Sequence, residues 1–383
     1  SKKNNINLDL NISDEINIDL INYTKNNKKK ANITANLILK NKELYLKKIK
    51  YIEDKSTIIL NNLEIDKNKK LIKFSDVSVK TFKDNIIQND FNIKFGKLIK
   101  IKGSNYDSTN LIEIINSRSK GEFLNNVNKN INITLGNILT KDTSKLKNFN
   151  LIGKLTKGKF TKLSSKSEFS ENNYLDISLK QDPVTKIKVL EIFSDLPKPL
   201  LANYSFFKGL EDGKMSFISR IDKNQSASKL TIENFKVKNA PGFAKLLALA
   251  DFGGMVDLMS GDGLSFEKLE ISLTKNPNTL DIKEIFAVGP SISILMEGYV
   301  ENKKNGVASL RGTMVPAKTL NKLISKIPVI GDILIPKDVG EGLFGVSFKI
   351  KGKKGSYKTT VNPIKTLTPR FITKALEKRK KTK

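Results

Sequence analysis

The stretch NINLDLNIS, Asn5 to Ser13, alternates throughout: Ile6, Leu8, Leu10 and Ile12 fall on one side of an extended backbone, and Asn, Asp and Ser on the other. A strand turns successive side chains to opposite faces, whereas a helix repeats its apolar positions every three or four residues. This stretch therefore reads as a half-buried β-strand. The same period returns at Ile16, Ile18 and Leu20, and at Ala31, Ile33, Ala35, Leu37 and Leu39. It recurs at Phe91, Ile93 and Phe95, at Ile131, Ile133 and Leu135, and at Leu175, Ile177 and Leu179. Polar clusters such as KNNKKK (25–30), DKNKK (66–70) and SENN (170–173) separate these runs as hairpin turns do. Residues 1–198 are expected to form a repetitive meander of antiparallel β-hairpins. One short helix is expected within 108–119, from the spacing of Leu111, Ile114 and Ile115.

Residues 199–383 change character. Two strands, GKMSFISRID and SKLTIENFKVK, precede an amphipathic segment from Ala240 to Met259 that starts near Pro241 and is expected to break or kink at Gly253-Gly254. Alternation resumes through Leu264, Phe266, Leu269 and Ile271, and continues around Leu280–Phe286 and Ser291–Val300. A second short helix is expected at 317–327, stopping at Pro328, and a last strand in GLFGVSFKIKG. A sheet with one apolar face must bury that face on something. Two or three short helices cannot cover roughly fifteen to twenty strands of ordinary length. Three solutions remain open: sheets stacked as a dry sandwich, a closed barrel, or a sheet curled around an apolar guest. An Ile- and Leu-rich lining suits a dry core and a wall for acyl chains equally well.

Lys plus Arg is 68 and Asp plus Glu is 39, a net charge of +29. Such a surplus points to an anionic partner, nucleic acid or phospholipid headgroups. The competing explanation is compositional: Lys, Asn and Ile dominate the chain, and all three follow AT-rich codons. Without any Cys or His, zinc sites, disulfides and Ser-His or Cys-His nucleophiles are excluded. We expect no catalytic residues, no metal and no cofactor. The absence of Trp and an aromatic content of 7% leave few platforms for stacking bases and weigh against nucleic acid. No window reaches the ~18 apolar residues of a spanning helix; the nearest, Phe243 to Met259, is interrupted by Lys245, Asp251 and Asp257. Lys2 and Lys3 are not followed by an apolar signal-peptide core. The chain opens on Ser1 directly into a strand pattern, which reads as the C-terminal piece of something longer.

Four motifs carry little chemistry. GEGLFG (340–345) matches a dinucleotide loop but is followed by the strand-like VSFKIKG instead of a helix. GKLTKGKF (153–160) has Phe160 where a phosphate loop needs Ser or Thr, and sits between two alternating runs as a hairpin would. Asp251, Asp257 and Asp262 lack the spacing of a calcium loop, and nothing singles out a Ser-Lys pair. The tail RFITKALEKRKKTK (370–383), with seven basic residues and one acid, reads either as a helix lying on anionic lipid or as a solvated terminus.

Taken together, several C-terminal segments resemble the AsmA-like proteins of Gram-negative envelopes, in the YhdP and TamB neighbourhood. LTIENFKVKNAPGFAKLLALADFGGMVDLMSGDGLSFEKLEISL (230–273) is similar to that family's strand, Asn-Ala-Pro, helix and Gly-x-Gly-Leu-x-Phe series. GTMVPAKTLNKLISKIPVIGDIL (312–334), GEGLFGVSFKIKG and TTVNPIKTLTPRFI resemble its later segments, although Val315 and Pro316 are adjacent here and Thr368-Pro369-Arg370 replaces the usual Pro-Gly. The residues carrying the likeness are Asn239, Pro241, Gly261, Gly263, Phe266 and Pro328, with Gly331, Gly340, Gly342, Phe344, Asn362 and Pro363.

The resemblance implies a mainly β, elongated antiparallel meander curled into an open apolar groove, β-taco-like. It implies non-enzymatic phospholipid transport in the periplasm, with an inner-membrane anchor in a preceding part of the protein and the outer membrane near the C-terminal end. The inward positions expected to wall such a groove are Ile33, Leu37, Phe91, Ile93, Ile131, Ile133, Leu175 and Ile177. The alternatives are a structural scaffold for envelope assembly that carries no lipid, and an outer-membrane barrel. Against the barrel stand the missing Trp and the terminal KRKKTK.

Overall fold

A computed structural model describes residues 3–40, 43–116, 122–303, 305–316, 345–353 and 356–364. The helix expected at 317–327, with Pro328, Gly331, Gly340, Gly342 and Phe344 and the tail from 370, lies outside the described residues. The chain is mainly β, and all but one separate pair of its described strands join in an open mixed sheet that does not close into a barrel. Four short α-helices accompany them among the described residues, where two or three were expected. Two units can be distinguished, Ser1–Asn203 and Tyr204–Lys383.

In the first unit the alternating runs form β1 (Lys3–Ile12), β4 (Ala31–Lys40), β5 (Glu43–Glu53), β6 (Ser56–Ile65), β8 (Asp76–Lys83) and β9 (Ile86–Phe95). Beyond these come β10 (Ile99–Asp107), β11 (Asn130–Leu139), β12 (Lys145–Thr156), β13 (Lys159–Ser170), β14 (Asn173–Gln181) and β15 (Lys188–Ser194). Short strands β2 (Ile16–Ile18), β3 (Tyr23–Lys25) and β7 (Leu71–Lys73) lie between them. Tight turns close the hairpins where polar residues accept the left-handed backbone: Asp84 and Asn85 at φ 51° and 62°, and Lys157 and Gly158 at φ 51° and 70°. The GKLTKGKF segment is thus a β12–β13 hairpin.

Two departures from a simple meander matter. First, β1 pairs with β4, so residues 13–30 form an insertion. The strand expected over Ile16, Ile18 and Leu20 stops at Ile18, where a 3₁₀ turn (Asp19–Ile21) ends on Asn22 at φ 47°. That turn buries Ile21 and leaves Leu20 56% exposed. Second, β10 and β11 pair in parallel, so the sheet is mixed. Their connection includes α1 (Leu111–Asn116), within the segment expected to be helical. A further helix, α2 (Lys198–Leu201), follows β15.

The second unit is an antiparallel meander in chain order. It comprises β16 (Leu210–Asp222), β17 (Gln225–Val237), β18 (Leu264–Lys275), β19 (Thr279–Val288), β20 (Ile292–Glu301), β21 (Val307–Pro316), β22 (Gly345–Lys353) and β23 (Ser356–Ile364). Between β17 and β18 lie α3 (Pro241–Leu249) and α4 (Gly253–Ser260). The break falls at Ala250–Phe252, with Asp251 at φ 62°; Gly253 and Gly254 open the second helix, where the sequence reading had them break the first. The cross-strand row Met215, Ile232, Leu269, Ala287, Ile294, Met314, Val346 keeps register over seven strands. Ile232 and Met314 on that row have no exposed surface. In β19 and β21 neighbouring residues on opposite faces, Phe286 with Ala287 and Met314 with Val315, are all buried. Here the sheet is buried on both faces.

Candidate functional site

The first unit is built differently. Its pairings align Leu8, Ala35, Ile49, Leu60, Val77 and Ile93, then Ile101, Ile133, Leu151, Ser165, Ile177 and Ile192, in one register across twelve strands. At ~4.8 Å per strand the row runs for about 50 Å along the sheet. Most of its aliphatic members, including Ile49, Leu60, Val77, Ile93, Ile101, Ile133, Ile177 and Ile192, are only half-buried. The rows on either side are better covered. Tyr51, Val79, Phe91, Leu135 and Leu175 are buried toward one end of the strands, and Leu71, Ile99, Val127, Ile131 and Leu155 toward the other. A half-open aliphatic strip thus runs between two sealed margins.

The expected wall residues all lie on this face. Ile93, Ile133 and Ile177 belong to the strip, Ile33, Phe91 and Leu175 to one margin, and Ile131 to the other. Leu37 faces the same way opposite Ile6 and Leu46. Phe91, Ile131 and Leu175 are buried, while Ile33, Leu37, Ile93, Ile133 and Ile177 are half-buried.

One margin is sealed by the insertion, which the sequence reading took for another hairpin of the meander. Ile21 and Tyr23 enter the apolar cluster, with Ile16 and Ile18 against it. Tyr23 reaches β5: its hydroxyl meets Tyr51 Oη at 2.9 Å and donates to the Glu53 carboxylate, which also pairs with Lys29 at 3.2 Å. The neighbouring backbone reaches β9 and β10. Asn89 Nδ2 donates to the Ile21 carbonyl (2.8 Å) and the Tyr106 hydroxyl to the Leu20 carbonyl (2.8 Å). Strands four places apart in the sheet therefore converge on four consecutive residues, so the sheet curls around its cap. Lys25, with no exposed surface, fastens the base by donating to the carbonyls of Ser13, Asp14 and Asn26 at 2.7–3.1 Å.

Burial, and then the hydrogen bond to Glu53, push the Tyr23 phenol far above its ordinary range. Burial pushes Tyr106 up to about 12. Burial works against the Asp107 carboxylate, but hydrogen bonds from Thr109, Gln88 and Asn22 outweigh it and hold the group below the usual range. No local signal marks the cap: Tyr23–Lys25 alternates buried and exposed like any strand of the meander.

Inside the strip one atom stands alone. Ser165 is 3% exposed, lies between Leu151 and Ile177, and its hydroxyl has no hydrogen-bond partner among the described residues. A buried unsatisfied hydroxyl is a cost that native proteins rarely leave uncompensated.

The C-terminal motif residues that are described have structural work. Asn239 takes φ 49° and donates its backbone N–H to the Met259 carbonyl (3.2 Å). Pro241 starts α3, Gly261 caps α4 through its N–H to the Asp257 carbonyl (3.0 Å), and Gly263 turns at φ 89°. Phe266 stacks on Phe235 at 5.2 Å. Asn362 and Pro363 lie in β23. These residues set the path of the second unit and line no strip. No helix among the described residues is long and apolar enough to cross a membrane. No family model, curated protein or solved structure matches the chain.

Proposed function

We propose that this chain is a non-enzymatic phospholipid conduit, of the AsmA-like kind its C-terminal segments resemble, working in the periplasm between two membranes. The observation that carries the proposal is the half-open aliphatic strip across twelve strands of the first unit. A fold that needed only stability would seal such a strip, because each buried methylene is worth ~0.8 kcal/mol. The second unit shows that the same chain can seal one. Acyl chains laid along the strip complete its burial, and a lining of Ile, Leu, Val and Ala with no charge holds them with no deep trap.

The scaffold alternative needs the curl but not the open strip. The test is purification without detergent followed by mass spectrometry of extracted lipid. Co-purifying phospholipid in stoichiometric or higher amount supports the conduit. A folded protein free of lipid, and unable to take up phospholipid from vesicles, refutes it.

A further inference from the structure

The two ends of the strands in the first unit differ in charge. One end includes residues 65–74, 96–98, 122–130, 154–162 and 180–188, which carry thirteen lysines and three carboxylates. The cap end, formed by 13–30, 53–56, 83–86, 107–116, 140–145, 170–173 and 194–200, carries nine lysines and eleven carboxylates. A surplus set by codon composition alone would load both ends alike, so the asymmetry belongs to the fold.

The basic end is also a continuous surface. Asn126 Nδ2 donates to Asp66 (2.9 Å), the Gly158 N–H to the Val127 carbonyl (2.9 Å), Lys129 Nζ to the Gly96 carbonyl (2.7 Å) and Lys188 Nζ to the Phe160 carbonyl (2.6 Å). These bonds stitch the five segments into one rim. Lysines stand in direct register beneath it: Lys154 faces Lys162, which faces Lys180. Like charges placed opposite one another on adjacent strands repel, so the arrangement disfavours the isolated fold and favours a bound anion. Burial, and then the Lys159 ammonium, hold Lys188 below the usual lysine range. Apolar side chains protrude between the cations: Val184 is 85% exposed, and Ile72, Phe123 and Leu124 are 43–48% exposed.

We infer that this rim docks on the surface of an anionic phospholipid bilayer, with lysines at the phosphates and Val184, Phe123 and Leu124 entering the headgroup boundary. A polyanion such as duplex nucleic acid would use the charge, but it would gain nothing from aliphatic tips standing in water. The inference is independent of the conduit reading, because a rim can dock whether or not the strip carries lipid.

The test is flotation of the full chain with phosphatidylcholine vesicles, with and without phosphatidylglycerol. Binding is expected only with the anionic lipid, falling with added salt as screening predicts. The triple variant Lys97→Gln, Lys157→Gln, Lys159→Gln should bind about a hundredfold more weakly, at ~1 kcal/mol or about fivefold per surface lysine. Val184→Asp should also weaken binding, whereas Lys28→Gln with Lys141→Gln, at the cap end, should leave it unchanged. Melting curves matching the parent's would show that the variants fold. Equal binding to neutral vesicles, or a triple variant that floats like the parent, overturns the inference. So does a rim that binds random duplex DNA while ignoring vesicles.

Discussion

Ile133→Asp separates an open strip from a dry core. Ile133 sits mid-strip, in register with Ile101 on one side and Leu151 on the other, and is half-buried. Full burial of an isoleucine is worth about 1.5–3 kcal/mol, so half of it forfeits about 1 kcal/mol. Because the strip is unsealed, the new carboxylate can turn to water, and the total loss of stability should stay near 1–2 kcal/mol. Ile232→Asp in the second unit, at a site with no exposed surface, would bury an unpaired charge and should cost about 4 kcal/mol or more. Lipid retention should show the opposite ranking. A carboxylate that wets three or four methylenes of a bound acyl chain removes roughly 3 kcal/mol, about a hundredfold in occupancy. Urea unfolding followed by circular dichroism gives the first quantity, and quantitative mass spectrometry of bound lipid the second. If Ile133→Asp unfolds the protein as Ile232→Asp does, the strip is a sealed core and the reasoning fails. If it folds and keeps its lipid, acyl chains do not lie there.

Ser165→Val removes the orphan hydroxyl at nearly constant volume. It should raise the melting temperature slightly, and a variant that melts below the parent would show that the hydroxyl is satisfied in the folded protein. The raised phenols of Tyr23 and Tyr106 make the cap alkali-sensitive. Their contribution is intact below the ordinary tyrosine pKa of about 10 and is lost as pH rises toward the folded values. Melting temperature should therefore fall above about pH 10, and Tyr23→Phe should flatten that fall while costing about 1–3 kcal/mol at neutral pH. At Gly312 an added Cβ would meet Phe348 Cζ at 2.5 Å and the Leu295 carbonyl at 2.6 Å, so Gly312→Ala should destabilise by about 1–3 kcal/mol. Gly242 lies in α3, where an added Cβ would meet nothing within 4 Å among the described residues, and Gly242→Ala should be neutral or stabilising by up to about 1 kcal/mol; paired denaturation curves check both.

Much of this architecture is written locally. Alternation at Ile131, Ile133 and Leu135 or at Leu175, Ile177 and Leu179 places strands and their inward faces, because a sustained period of two matches the strand and not the helix. Consecutive hairpins then follow from short polar turns such as Asp84-Asn85. The insertion was opaque for the same reason. Ile16, Ile18 and Leu20 obey the strand rule, and only contacts made by Tyr23 to Tyr51 and by Ile21 to Asn89, distant in sequence, turn the segment into a cap. The parallel β10–β11 pair was equally hidden, since pairing direction leaves no mark on alternation. As for the site, register put the expected wall residues on one face. The division of that face into sealed margins and an open strip depends on what covers each position, which no single strand records.

That parallel pair has a consequence for how the first unit assembles. Hairpins can zip one strand at a time, each new strand meeting its neighbour across a short turn, and the stacks β4–β5–β6 and β11–β12–β13–β14–β15 can grow in this way. Zipping stops at β10, because β11 must begin at the opposite end of the sheet and the chain needs residues 108–129 to return there. Closure of that loop carries an entropic cost before any pairing repays it. The β10–β11 seam is therefore the pairing of the first unit with the longest intervening connection, and the one whose formation carries the largest loop-closure cost.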